Sequence, residues 1–173
     1  MLATAFWKAV TMDRSEFLDR LIAMLDTEGI RYCVVGGQAV NAYAEPVVSL
    51  DLDLVIAVDD LARAEARLAA AFSLERHPHS LNVADAGSDL RVQIQTDPRY
   101  TAYVDRAAPH MVLGIRLPVA ALEDVLQGKI WAAGDPARPP SKRLKDLADI
   151  ARLLEVAPRL RMRVPDSILV KIE

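Results

Sequence analysis

The sequence predicts an α+β domain, a mixed β-sheet flanked by helices, and three observations carry that expectation. "SLDLDLVIAV" and "DLRVQIQT" alternate apolar and polar residues with the two-residue period of a strand. Residues 13–28, 59–72 and 142–155 instead place apolar side chains at helical spacing. These elements interleave along the chain in the order α-β-α-β-α-β-(β)-α-α, which calls for helices packed against a shared sheet.

The first helix runs from Asp13 to Glu28, with Phe17, Leu18, Leu21, Ile22, Met24 and Leu25 on its inner side and Gly29 as its stop. "RYCVV" reads as a short buried strand leading straight into Gly36-Gly37, after which "QAVNAY" looks helical. "SLDLDLVIAV" sets Leu50, Leu52, Leu54 and Ile56 on one face and Ser49, Asp51, Asp53 and Val55 on the other. Asp59 or Asp60 then caps a helix reaching Phe72, with Leu61, Ala64, Leu68 and Ala71 as its inner stripe. In "DLRVQIQT", Leu90, Val92 and Ile94 oppose Arg91, Gln93 and Gln95. "HMVLGIRLPV" is expected to be a further strand, with Pro118 opening the helix that carries "AALEDVLQGKIWAAG". The last strong helix covers Lys142 to Glu155, and "SILVKI" is expected to form an edge strand or a truncated continuation.

At 173 residues and 52% hydrophobic content, the chain can bury a real core, which excludes a disordered class. A net charge of −3 supplies no overall basic field, so any RNA contact has to be local. Cys33, the one cysteine, has no partner for a disulfide or a cysteine-based zinc site and suits a reducing cytoplasm. "MLATAFWKAV" is too short to span a bilayer and lacks the basic start of a signal peptide, so no membrane association is expected. Asp13 and Glu16 resemble a capping box, which makes residues 1–12 an extension, 13–118 the α/β core and 119–173 a helical segment packed on it.

The chemistry concentrates between Gly36 and Asp53. Residues i and i+2 of a strand share a side, so Asp51 and Asp53 project together with their leucine neighbours behind them. Paired carboxylates suit an open surface or a divalent cation, and Mg2+ is commonly held by one or two carboxylates together with substrate phosphates. Gly36 and Gly37 end a strand and begin a helix, where backbone amides can approach a phosphate. A Gly-Gly turn or an Asp-x-Asp strand alone is common; the combination in this order and spacing is specific.

"VVGGQAVNAY" followed by "SLDLDLVI" resembles the nucleotidyltransferase superfamily of the polymerase-beta type. "LEDVLQGKIWA" and "SKRLKDLADIARLL" resemble its AbiEii/AbiGii branch, which includes toxins of toxin–antitoxin systems. The resemblance covers about residues 16 to 155. It implies that two Mg2+ ions and an NTP support attack of an acceptor hydroxyl on the α-phosphorus, expelling pyrophosphate, with RNA, protein or a small molecule as acceptor and a cognate antitoxin as a further partner. It also implies that Gly36, Gly37 and Ser49 bind nucleotide, that Asp51 and Asp53 hold the metal, and that Lys129 reaches a phosphate. A further functional acid falls on Asp146 or Asp149; Asp146 is preferred, although both also form i,i+4 pairs, with Lys142 and Lys145. The family's third carboxylate is replaced by Gln93, which brings no charge and is no base at neutral pH. Asp89 and Asp97 share its strand parity, but each stands four residues away. A catalytically degenerate relative that binds a nucleotide or a partner is the alternative implied by that glutamine.

Other residues read more simply. His77 and His79 flank Pro78 in a surface loop without the further ligands of a metal site, and His110 stands apart. Trp7 and Trp131 suit packing. Arg138, Lys142, Arg143, Lys145, Arg159, Arg161 and Arg163 make the C-terminal third basic, a solvated face or a local contact for a nucleic-acid backbone.

Overall fold

The computed structural model describes residues 16–173; the expected extension over residues 1–12, Trp7 and the Asp13 cap lie outside the described residues. Strands β1 (Tyr32–Val35), β2 (Asp51–Ile56), β3 (Ser73–His77), β4 (Ser80–Ala84), β5 (Arg91–Gln95), β6 (Ala108–Val112) and β7 (Ile115–Val119) form one mixed sheet, ordered β3-β4-β5-β2-β1-β7-β6. The helices are α1 (residues 16–27), α2 (Gly36–Tyr43), α3 (Leu61–Ala71), α4 (Tyr103–Arg106), α5 (Leu122–Gly134), α6 (Pro140–Val156) and α7 (Asp166–Ile172). By its internal contacts the chain divides into two compact units. One holds the described residues up to Cys33 together with Leu50–Val104, and the other holds Val34–Ser49 and Asp105–Glu173.

In the first unit, α1 buries Phe17, Leu18, Leu21 and Leu25, and Gly29 ends it with a φ of 62° that a side chain would resist. Parallel strands β2 and β5 pair Asp51 with Arg91, Leu52 with Val92, Asp53 with Gln93 and Leu54 with Ile94. Leu52, Leu54, Val92 and Ile94 are buried, as the alternation predicts. Antiparallel β4 brings Ser80 opposite Gln95 and Asn82 opposite Gln93. Apart from buried Val55, the opposite side of these strands is polar: Asp51 and Asp53, then Arg91, Gln93 and Gln95, then Ser80 and Asn82.

Two expectations for this unit change. Asp60 precedes α3 without capping it; its carboxylate accepts from the Arg31 backbone N–H and the Arg63 guanidinium. Those bonds, the backbone one first, hold its pKa below the ordinary aspartate value. Only Ala64 and Leu68 of the proposed α3 stripe are buried. The surface loop expected at His77-Pro78-His79 is the exposed tip of the β3–β4 hairpin, where His77 ends β3 and Pro78-His79 make the turn.

In the second unit, β1 and β7 run parallel with Val34 beside Val119, and β6 and β7 form a hairpin. "HMVLGIRLPV" is thus two strands turning at Leu113-Gly114, both at positive φ. Pro118 lies within β7 opposite Pro109, and the helix begins instead at Leu122. Helix α6 starts on Pro140, whose missing N–H costs nothing in a first turn. "SILVKI" is helical, not a strand: α7 follows Pro165, carries Asp166 in its first turn and buries the adjacent Ile168 and Leu169.

Candidate functional site

Within the first unit, Asp51 and Asp53 leave β2 on the same side, while Leu52 and Leu54 anchor the strand from behind at 0% exposure. Arg91 stands opposite Asp51 in register, its Nε 2.7 Å from Asp51 Oδ1, in an exposed ion pair. The periodicity placed Arg91 on the polar face but gave no signal of this pairing, which depends on strand register. Gln93 stands opposite Asp53. Its Nε2 donates to the hydroxyl of buried Ser80 at 3.0 Å, and its Oε1 accepts from Gln95 Nε2 at 3.4 Å. Asp97 caps a short turn and accepts from the Arg99 backbone N–H and guanidinium. The side-chain bond to Arg99 is the chief reason its pKa lies below the ordinary aspartate value.

Among the described residues, no group of three or more His, Cys, Asp or Glu side chains could hold a metal ion. Two carboxylates still fit Mg2+, a hard cation that keeps several waters and takes its remaining oxygens from substrate phosphates. Asp51 and Asp53 offer two carboxylates on one side of β2, and the neutral amide of Gln93 stands opposite Asp53.

Gly36 and Gly37 belong to the second unit and form the first residues of α2. Gly36 has a φ of 68°, which no side chain adopts without strain. A Cβ at Gly37 would meet nothing within 4 Å, so the fold itself leaves that position open to a methyl group. No side chain caps the helix, so its first N–H groups keep their capacity to donate.

The polar side of α2 fixes the segment that leads to β2. Gln38 Nε2 donates to the Ser49 carbonyl at 3.1 Å. Asn41 accepts from the Val47 N–H at 2.9 Å and donates to the Val47 carbonyl at 2.7 Å. Arg152 of α6 donates to Asn41 Oδ1 and to the Glu45 carbonyl, and its other arm reaches Asp149 at 2.8 Å. Sequence reasoning missed Gln38, Asn41 and Arg152. The available signal was two amides at i and i+3, a spacing that puts them on one helical face.

Lys129 of α5 sits between two carboxylates of α6, 3.0 Å from Asp146 Oδ1 and 2.8 Å from Asp149 Oδ2. Arg138 adds a second cation to Asp146 at 2.5 Å. Burial pulls the Lys129 pKa down, but the fields of Asp149 and Asp146 and their hydrogen bonds outweigh it, leaving the ammonium above the ordinary lysine value. Asp146 and Asp149 thus share one buried cluster around Lys129.

Three residues of the basic C-terminal run form ion pairs: Arg138 with Asp146, Arg159 with Glu123 and Arg161 with Glu173. His77 contacts Asn82 across its hairpin, and His110 packs against Tyr43. No helix among the described residues is long and apolar enough to cross a membrane.

Solved structures similar to this chain include the lincosamide antibiotic adenylyltransferase LnuA bound to lincomycin, at 11% identity and a TM-score of 0.53, covering 79% of this chain and 95% of that one. A nucleotidyltransferase-like protein from Paracoccidioides brasiliensis matches at 16% identity and a TM-score of 0.54, covering 94% and 85%. The chain has the nucleotidyltransferase fold. The antibiotic-resistance factor ANT(2'')-Ia shares this nucleotidyltransferase fold at 15% identity and a TM-score of 0.56, covering 87% of this chain and 92% of its own. No protein-family model matches the sequence, and no curated protein matches it. At these identities the likeness establishes the nucleotidyltransferase fold and carries no residue's role across.

Proposed function

We propose that this protein transfers a nucleotide from an NTP to an acceptor hydroxyl with Mg2+ as cofactor. The observation that carries the reading is the Asp51 and Asp53 pair, projecting from one side of β2 in a chain with the nucleotidyltransferase fold. A bond forms between the acceptor oxygen and the α-phosphorus, the bond from that phosphorus to the β-phosphate bridging oxygen breaks, pyrophosphate leaves, and the acceptor proton passes to water. Bound Mg2+ would offset charge on the attacking and leaving oxygens. Asp51 and Asp53 would hold it.

Gly36 and Gly37 would accommodate the triphosphate at the uncapped start of α2, with Ser49 contributing beside β2. Lys129 and Asp146 enter this reading as positioning residues, because each already has ionic partners in a buried cluster. That cluster reaches Asn41 and Glu45 through Asp149 and Arg152, and so steadies the segment preceding Asp51.

The acceptor in this proposal is RNA, a protein or a small molecule. LnuA bound to lincomycin, and ANT(2'')-Ia in complex with adenylyl-2''-tobramycin, lend support to a small molecule. The AbiEii-like stretches in α5 and α6 support a toxin with a cognate antitoxin, which the neighbouring reading frame would test. Buried Cys33 suits a reducing cytoplasm.

Gln93 favours a second reading, a relative that binds nucleotide or a partner without transferring anything, since an amide cannot take the acceptor proton. The deciding experiment offers each labelled NTP with Mg2+ to total RNA, total protein and a small-molecule extract, alongside calorimetry of nucleotide binding. Incorporation lost in Asp51→Asn and Asp53→Asn supports transfer. Mg2+-dependent binding without incorporation supports the second reading, and a wild type showing neither rejects both.

A further inference from the structure

We infer that Gln93, Gln95, Asn82 and Ser80, the polar side chains of β5 and β4 on the Asp53 side of the sheet, form a subsite for a hydroxyl-rich small molecule of sugar or polyol type. This rests on the proposed nucleotide transfer and deepens it by naming the acceptor class, with Gln93 binding a hydroxyl instead of serving as a base.

Strand register fixes the patch. Gln93 pairs with Asn82 and Gln95 with Ser80 across β5 and β4, and Gln93 stands opposite Asp53 across β5 and β2. Alternation puts the four on one side of the sheet, at the corners of an area about 5 Å by 7 Å, room for one ring. All four belong to the first unit.

The patch offers donors and acceptors together. Gln93 Nε2 donates to Ser80 Oγ at 3.0 Å, and Gln95 Nε2 donates to Gln93 Oε1 at 3.4 Å. Asn82 Nδ2 lies 3.0 Å from His77 Nε2. Each amide nitrogen carries a second N–H beyond these bonds, and among the described residues no group donates to Gln95 Oε1 or Asn82 Oδ1. Turning an amide end for end preserves this mixture. A hydroxyl uses both kinds of partner, since it donates one hydrogen bond and accepts others. A phosphate only accepts and an ammonium only donates, so either leaves part of the patch unmatched. The partners are also spread over an area, as ring hydroxyls are, and not along a line like the edge of a nucleobase.

Binding is read without metal or NTP, from the side-chain amide resonances of Gln93, Gln95 and Asn82 in isotope-labelled protein. The probes are methyl glucoside, sucrose and myo-inositol, against inorganic phosphate, spermidine and adenine. At least one of the hydroxyl-rich probes should shift all three resonances saturably. Asn82→Ala and Gln95→Ala should each weaken that probe about two- to tenfold, the worth of one hydrogen bond. Asn82→Asp combined with Gln95→Glu keeps the side-chain shapes but removes their N–H donors; it should lose the neutral probe and take up spermidine. No shift with any hydroxyl-rich probe, or tighter saturation by phosphate, spermidine or adenine, overturns the subsite, even where nucleotide is transferred to RNA or protein. A bound probe that takes no nucleotide from any NTP with Mg2+ upholds the subsite and counts against the transfer reading alone.

Discussion

Lys129 Nζ lies 3.0 Å from Asp146 Oδ1, with only 9% and 2% of the two side chains exposed. Removing one partner from such a pair leaves the other charge buried, a change that costs about 3–5 kcal/mol. Lys129→Met is therefore expected to lower the free energy of urea unfolding by about 3 kcal/mol, because it leaves Asp146 to Arg138 and Asp149 to Arg152. A loss below about 1 kcal/mol, the scale of an exposed pair, would show that the cluster does not hold α5 to α6.

The same lysine sets a pH dependence. Its pKa is raised in the folded state, so its contribution to stability is fully present below the unfolded value of about 10.4 and is lost as pH rises through the folded one. The stability gap between wild type and Lys129→Met should hold from neutral pH to about 10.4 and narrow above it. Parallel unfolding curves across that range provide the check, and a gap that widens with alkali reverses the sign.

Arg152 and Asn41 together hold the segment between α2 and β2. The Val47 N–H donates to Asn41 Oδ1, the same oxygen that Arg152 contacts. Asn41→Ala should accelerate hydrogen exchange at the Val47 amide relative to the α5 core, and Arg152→Ala should produce a similar loosening. A charged hydrogen-bond donor of this kind contributes about 1.5–3 kcal/mol, so exchange about tenfold faster is expected in Arg152→Ala. Equal protection in wild type and both variants would mean that other contacts hold the segment.

The two glycines separate folding from ligand binding. Gly36→Ala forces a side chain to a φ of 68° and should cost about 1–2 kcal/mol. Gly37→Ala meets no neighbour within 4 Å and replaces a helical glycine, so it should leave stability unchanged or raise it by up to about 1 kcal/mol. If a triphosphate approaches that backbone, the same substitution weakens NTP binding. Calorimetry showing full affinity in a stable Gly37→Ala variant would remove Gly37 from the binding site.

The sequence was most legible where one face of an element is buried and the other is not. β2 and β5 announced themselves because Leu52, Leu54, Val92 and Ile94 alternate with polar residues. β3 did not, since "SLERH" is largely exposed on both sides and carries no period. Pro118 suggested a helix start but sits inside β7, where strand pairing overrides the local preference. "SILVKI" carries strand-like residues, yet burial of the adjacent Ile168 and Leu169 with Val170 exposed follows a helix. The placement of Gly36 at a helix start and of Asp51 and Asp53 on one side of a strand was readable from local spacing. The Arg91, Asn41 and Arg152 contacts were not, because they depend on register or on residues far apart in sequence.

Arg152 and Asn41 are 111 positions apart in the chain. A chain synthesised from its amino end therefore makes the glycine helix and the aspartate strand long before it makes the guanidinium that ties down the segment joining them. The geometry of the segment from Asn41 to Val47 is a late event in biosynthesis, completed only once α6 has been translated and has folded against α2.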